Sequence, residues 1–320
     1  MSFHAVTRSQ KHLAWDNSLQ PVVRINSGET VVFDCIDASN GQAHASSVVG
    51  DLGRFVFEQL DPVNGPVYIE AAEPGDVLQV DVLELETADW GWTAALPGFG
   101  LLAEEFDASG LTPALKVWKL DRENGWAWFD EEKGIRIPLR PFCGEMGVAR
   151  GIPGEHSTIP PYNTGGNIDT RHVVAGSTLY LPVEVKGALF SCGDGHAAQG
   201  DGEVAGTAIE TPIKATLRFT VLKDKKHVKT PHIKTPPTPA SAAGEEHYIT
   251  TGVESNLLDA TKAAVRYMID TLVAEKGLTR IEAYFLCSVA GDLRLHEVVD
   301  MPNFVVGMMM PLSIFGHKAT

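Results

Sequence analysis

The sequence predicts a mainly β protein that ends in an α+β portion. Three observations carry that expectation. The 31 glycines and 19 prolines fall between short apolar runs, the punctuation of strands and turns. In Val77–Glu86, Gln79 and Asp81 alternate with Leu78, Val80 and Val82, the period of two of a half-buried strand. Only after residue 256 does the period change, where Leu257, Thr261, Ala264, Met268 and Leu272 recur at steps of three and four.

Taken in order, Gly28-Glu29 leads into Thr30–Cys35, a β-branched strand, and Val67–Glu70 is another. Pro74-Gly75-Asp76 turns the chain into Val77–Glu86. Segment 90–110, rich in glycine and aromatics without a clean period, reads as an excursion between strands. Strands resume at Ala114–Leu120, Trp126–Phe129 and Ile135–Leu139. Residues 140–170 read as a long Gly/Pro-rich loop. Structureless loops of more than about 15 residues inside a compact domain are functional or disordered, and the apolar anchors Phe142, Met146 and Val148 favour function here. Ser177–Val185 and Leu217–Leu222 are further strands.

The charged, proline-rich run from Lys223 to Glu246 is a surface connection. It divides a mainly β portion, residues 1–225, from a C-terminal portion, residues 226–320. There a helix over 257–276 is capped by Asn256, favoured by Asp259 in its first turn and ended by Gly277. A second helix starts at Thr279, with Glu282 completing a capping box, and Arg294–Val299 returns to strand. No internal repeat of 20–50 residues is present.

Lys plus Arg is 26 and Asp plus Glu is 41, so the formal net charge is 26 − 41 = −15. A basic footprint for nucleic acid is absent, and anionic lipid is repelled. No run of about 20 apolar residues could span a membrane. The N-terminus lacks the apolar core of a signal peptide. Cys35, Cys143, Cys192 and Cys287 are far apart with no C-x-x-C pair, so a zinc ribbon and a thioredoxin-like motif are excluded. Free thiols in a reducing cytoplasm are the simplest expectation.

The strongest chemical signal is Gly187–Glu210. Within ten positions it carries Asp194, His196, Asp201 and Glu203, with Gln199 between them and Gly193, Gly195, Gly200 and Gly202 interleaved. Glycines let a loop bring its acids and imidazole to one point, where a divalent cation would offset their repulsion. One imidazole with two or three carboxylates suits zinc, or a harder cation such as calcium. The plain alternative is a tight turn with solvated acids. Neither an EF-hand nor an H-E-x-x-H motif is present. Asn167 and Asp169 stand two apart after Gly165-Gly166, so on an extended segment they share a face and can join the same site. His12, near Trp15-Asp16, is a third candidate. No G-x-S-x-G elbow, dinucleotide fingerprint or P-loop occurs. A thiol scheme would rest on Cys192 beside His196.

GALFSCGDGHAAQGDGEVAGTAIE closely resembles the signature of the acetamidase/formamidase family. The likeness continues in HLAWD near the start, in NGPVYIEAAEPGDVLQVDVLELE, in IPLRPFCGEMGVAR, in IPPYNTGGNIDTR and in EAYFLCSVAGDLRLHEVVD, over roughly residues 10–315. Ala14 stands where many members have Asn. The resemblance implies a β-sandwich-like (jelly-roll-like) enzyme that hydrolyses short neutral amides to ammonia and a carboxylate. It further implies a divalent metal, zinc or calcium, and homo-oligomers, commonly dimers. Carried onto this chain, it makes Asp194, His196 and Asp169 the metal ligands and Glu203, Asp201 and Gln199 the catalytic groups. Asn167, Trp90 and Trp92 would contact substrate. The competing reading is a carbohydrate-binding β-sandwich with a structural cation, in which Trp90, Trp92 and Phe99 form a sugar platform instead of a lid that excludes water.

Overall fold

A computed structural model of the chain describes residues 3–237 and 246–315. It contains two facing sheets. The larger has nine strands, in the order 3–6, 30–35, 213–222, 77–87, 178–182, 232–234, 247–254, 304–311 and 292–297. The smaller has seven. Strands 161–162, 165–167, 142–148, 190–196, 63–69 and 11–12 lie side by side, and 23–25 joins 63–69. The buried apolar side chains of both sheets form one cluster between them. Phe33 and Phe219 of the larger sheet meet Phe190 of the smaller at ring-centroid distances of 5.8 and 4.9 Å. This is the expected sandwich: each sheet hides its apolar face against the other.

The C-terminal portion extends the same large sheet, because Thr178–Pro182 pairs with His232–Lys234 across the connection. Helix Leu257–Lys276 and helix Arg280–Ala290 cover its outer strands through Ala260, Ala264, Met268, Leu272 and Cys287. The caps are those the sequence predicts. The Asn256 side chain accepts from the Leu258 and Asp259 amides, Gly277 is left-handed at φ 69°, and Thr279 and Glu282 form a capping box. Among the described residues no helix is long and apolar enough to cross a membrane.

Four segments differ from the sequence expectation, one of them the supposed surface connection 223–246, in which His232–Lys234 is a strand of the larger sheet with His232 and Ile233 buried. Trp90–Ala95 is a strand, not an excursion, and pairs with Ala114–Asp121 in a separate four-stranded sheet; only Ala103–Ala108 nearby is helical. The expected loop 140–170 contains Phe142–Val148, a central strand buried at every position. The glycine-rich Phe190–His196 is its equally buried neighbour. Strands buried on both faces show no alternation, so their sequences lose the period-two signature.

Candidate metal and catalytic site

The site lies at the end of the paired strands Phe142–Val148 and Phe190–His196. Asp194 and His196, two apart on one strand, point the same way. Both are buried, and His196 Nε2 is 3.0 Å from Asp194 Oδ2 and 3.0 Å from Glu210 Oε2. Glu203 Oε1 lies 3.8 Å from the same nitrogen. On the other side of the ring, Nδ1 is 2.9 Å from Gln199 Oε1 and 3.7 Å from Asp169 Oδ1. Gln199 in turn donates to the Asp169 carbonyl at 2.6 Å. With Gln199 Oε1 accepting from Nδ1–H, the ring is turned so that Nε2 faces the carboxylates.

The strand opposite makes room. A Cβ on Gly144 would stand 2.1 Å from Asp194 Oδ2 and 2.3 Å from Asp169 Oδ1, so only glycine lets the two carboxylates approach this backbone. Asp61, Asp169, Asp194 and Glu203 all hold positive φ, between 37° and 52°, a conformation unfavourable for residues with a Cβ. Backbone strain thus concentrates on the acids of this pocket.

The electrostatics follow from burial. Desolvation, with Asp169 nearby, pushes the Glu203 carboxyl well above the ordinary range. Burial likewise raises Asp169, beside Asp194 and Asp300, and Asp61, beside Asp194 and Glu210. Glu210 is raised to about 7, mainly by burial. For Asp194 the burial cost is outweighed by His196, and its carboxyl is lowered. His196 shows the converse: burial disfavours its cation, but Asp194 and Glu210 raise it well above an ordinary imidazole.

These residues fit a divalent cation. Ligand atoms of Asp169, His196 and Glu203 lie within 4.8 Å of one another, as do those of Asp194, His196 and Glu210. Both Asp169 carboxylate oxygens and Asp194 Oδ1 are buried without a hydrogen-bond partner, which is costly unless something positive meets them. One imidazole with several carboxylates and no thiolate is the donor set of zinc or of a harder ion.

The sequence-predicted residues divide into two groups. Asp169, Asp194, His196, Glu203, Asn167 and Trp92 line one cavity of about 40 Å³. The Asn167 amide donates to Asp300 (3.0 Å) and to the Ile159 carbonyl (3.1 Å), while its Oδ1 is buried without a partner. The Trp92 indole donates to Asp37 at 2.9 Å. Gln199, expected to be a catalytic group, stands behind the His196 ring and outside the cavity lining. Asp201 turns outward, 3.1 Å from Arg294 and 3.6 Å from His172. It ties the Gly200–Glu203 loop to strand Asp292–Glu297 and is not part of the cavity lining. Trp90 packs beside Trp92 in the cluster around Ala38 and Leu52, also outside the cavity lining. His12 lies away from it too: its Nδ1 donates to the Ala14 carbonyl (2.8 Å), and Nε2 accepts from the Ser191 hydroxyl (2.8 Å). Cys192 is fully buried against Cys35 and Cys143, and burial pushes its thiol well up. Cys192→Ser is therefore expected to keep activity within about tenfold. A loss near a thousandfold or more, in assays of the folded variant, would instead match removal of a nucleophile.

Asp61, Glu210 and Asp300 also line the cavity, and residue reasoning did not single them out. Glu210 closes the motif run and forms backbone bridges with both Trp92 and His196, so its distance from Asp194 in sequence hides its proximity. Asp300 enters from the C-terminal portion, where only its position in HEVVDMP marks it.

Gln199→Leu should leave the fold intact but free the His196 ring. Loss of such a partner costs about 10–100-fold in metal affinity, measurable by titrating stripped protein with zinc. Unchanged affinity would mean that Gln199 does not orient the ligand.

The model of the Acetamidase/Formamidase family matches residues 3–154 and 153–317. A formamidase of Methylophilus methylotrophus is 25% identical over an alignment covering 96% of this chain and 89% of that protein. The crystal structure of an acetamidase from Bacillus halodurans superposes with a TM-score of 0.86 at 30% identity, covering 97% of this chain and 98% of that one. An acetamidase from Yersinia enterocolitica gives 0.84 at 29% identity, covering 99% and 94%. By sequence along nearly its whole length, and by the fold that carries the buried acid and histidine cluster, the chain belongs to the acetamidase/formamidase family.

Proposed function

We propose that this chain hydrolyses neutral carboxamides to ammonia and a carboxylate at the His196 pocket, with a divalent cation, zinc or calcium, as resident cofactor. The observation that carries the reading is the set of orphaned, buried carboxylate oxygens around one imidazole. Asp194, His196 and Asp169 would hold the cation; Asp194 and His196 form one close set with Glu210, and Asp169 and His196 another with Glu203. When bound, such an ion polarises an amide carbonyl and lowers the pKa of water toward neutrality.

The chain's own residues supply the rest. Glu203, buried and close to His196, is placed to take a proton from the attacking water and return it to the leaving nitrogen. Amide nitrogen leaves poorly unless protonated, so that transfer is essential. Asn167 Oδ1 is free to accept from the substrate N–H₂. Trp92 and the neighbouring apolar side chains Leu60 and Leu96 wall the cavity against bulk water.

The aromatic platform of the carbohydrate-binding alternative is not assembled at this site: Trp90 lies outside the cavity lining and the Trp92 indole is engaged by Asp37. The four buried free thiols suit a reducing, cytoplasmic setting, and assembly into a homodimer completes the proposal. The direct test is ammonia release from formamide and acetamide by purified protein. Absence of release from every primary amide, in folded and metal-replete protein, would reject the reading.

A further inference from the structure

A second space lies beside the acidic cavity. An outer hollow of about 560 Å³ adjoins it and shares Phe57, Phe99 and Ile159 as common walls. Its remaining wall includes Leu101, Pro160, Val298, Val299, Met301 and Phe304, with Ser157 as the one polar side chain and no charged residue. In a chain of net charge −15, an uncharged apolar hollow next to a cluster of carboxylates is a marked contrast.

The rings of Phe57 and Phe99 stand between the two spaces, edge to face at 6.3 Å. Phe99 is seated on Gly206, where a Cβ would fall 2.5 Å from its ring and φ is +84°. Volumes then decide what fits where. The inner cavity, about 40 Å³, is the smaller of the two and carries the polar groups that a carboxamide head can meet, Asn167, Glu203 and Glu210 among them. The outer hollow falls within the size range of small-molecule sites.

We propose that the outer hollow is the subsite for the acyl substituent, so that the chain favours neutral primary amides with a medium-length aliphatic or aryl group over formamide and acetamide. The carboxamide passes the Phe57–Phe99 pair into the acid pocket, and the apolar group rests against Leu101, Val299 and Met301. The reaction balances as R–CO–NH₂ plus water giving R–COOH and NH₃: the C–N bond breaks, a C–O bond forms, and the water's proton goes to nitrogen. The assignment rests on the amide-hydrolysis reading for its chemistry, and on the shape and polarity of the hollow for its specificity.

The test is kcat/KM of the metal-replete protein along propionamide, butyramide, pentanamide and hexanamide, with formamide and acetamide as references. Each methylene that enters the hollow should raise kcat/KM about fourfold. Leu101→Glu, at a position 55% exposed that tolerates a charge in the fold, should lower the hexanamide-to-formamide ratio at least tenfold. Values that peak at formamide or acetamide and fall with every added carbon would overturn the proposal. If no amide is hydrolysed, the amide reading fails, and calorimetric titration with acetamide and hexanamide then decides the subsite. Tighter binding of hexanamide, weakened by Leu101→Glu, upholds it, and equal or absent binding of the two overturns it.

Discussion

Glu203→Gln is expected to lower kcat by about 10²–10⁴ while metal content and melting temperature stay nearly unchanged. The reason lies in its surroundings. Glu203 is buried, and Gln keeps its size and shape without adding a charge to that site. What the substitution removes is the capacity to accept and release a proton. If Glu203 only held its loop together, the variant would show the reverse: a lowered melting temperature with activity surviving in the folded fraction. Parallel measurement of kcat, metal content and thermal unfolding separates the two outcomes. A fully active variant would move the proton transfer to Asp61, Glu210 or Asp300.

His196→Ala should be more damaging and in a different way. Among the described residues the imidazole is the one basic group paired with Asp194, Glu210, Glu203 and Asp169. Without it a bound cation would lose its imidazole ligand, and in the metal-free protein the acids would lose the imidazole that lies among them. Activity should fall below detection together with bound metal. The metal-free fold should lose about 3–5 kcal/mol, the usual consequence of removing one partner from a buried charged cluster. Denaturant unfolding of both variants, stripped of metal, checks the contrast: Glu203→Gln close to wild type, His196→Ala clearly weaker. Equal stability of wild type and His196→Ala would show that the acids do not depend on the imidazole.

The elements legible in the sequence are those with one wet face. Val77–Thr87 declares itself by alternation, and helix Leu257–Lys276 by its period and its caps, because solvent forces polar residues onto one side. Phe142–Val148 and Phe190–His196 were unreadable as strands because both faces are buried and their glycines answer to the site, as Gly144 does for Asp194 and Asp169. The site shows the same division. Asp194, His196 and Glu203 are close in sequence and are found together, and the Asn167–Asp169 pair joins them. Asp201 looked equivalent to its neighbours, but a residue's direction on a tight loop depends on φ and ψ. Here the side chain turns to Arg294 instead. Asp61 and Asp300 arrive from distant strand ends, a proximity that only tertiary pairing creates.

The central claim is that a divalent cation sits among these carboxylates and is needed for hydrolysis. Elemental analysis of freshly purified protein, joined to ammonia release before and after chelation, tests it in one experiment. About one divalent ion per chain is expected, with activity lost on stripping and restored by adding the ion back. Undiminished amide hydrolysis by protein shown to be free of metal would contradict it.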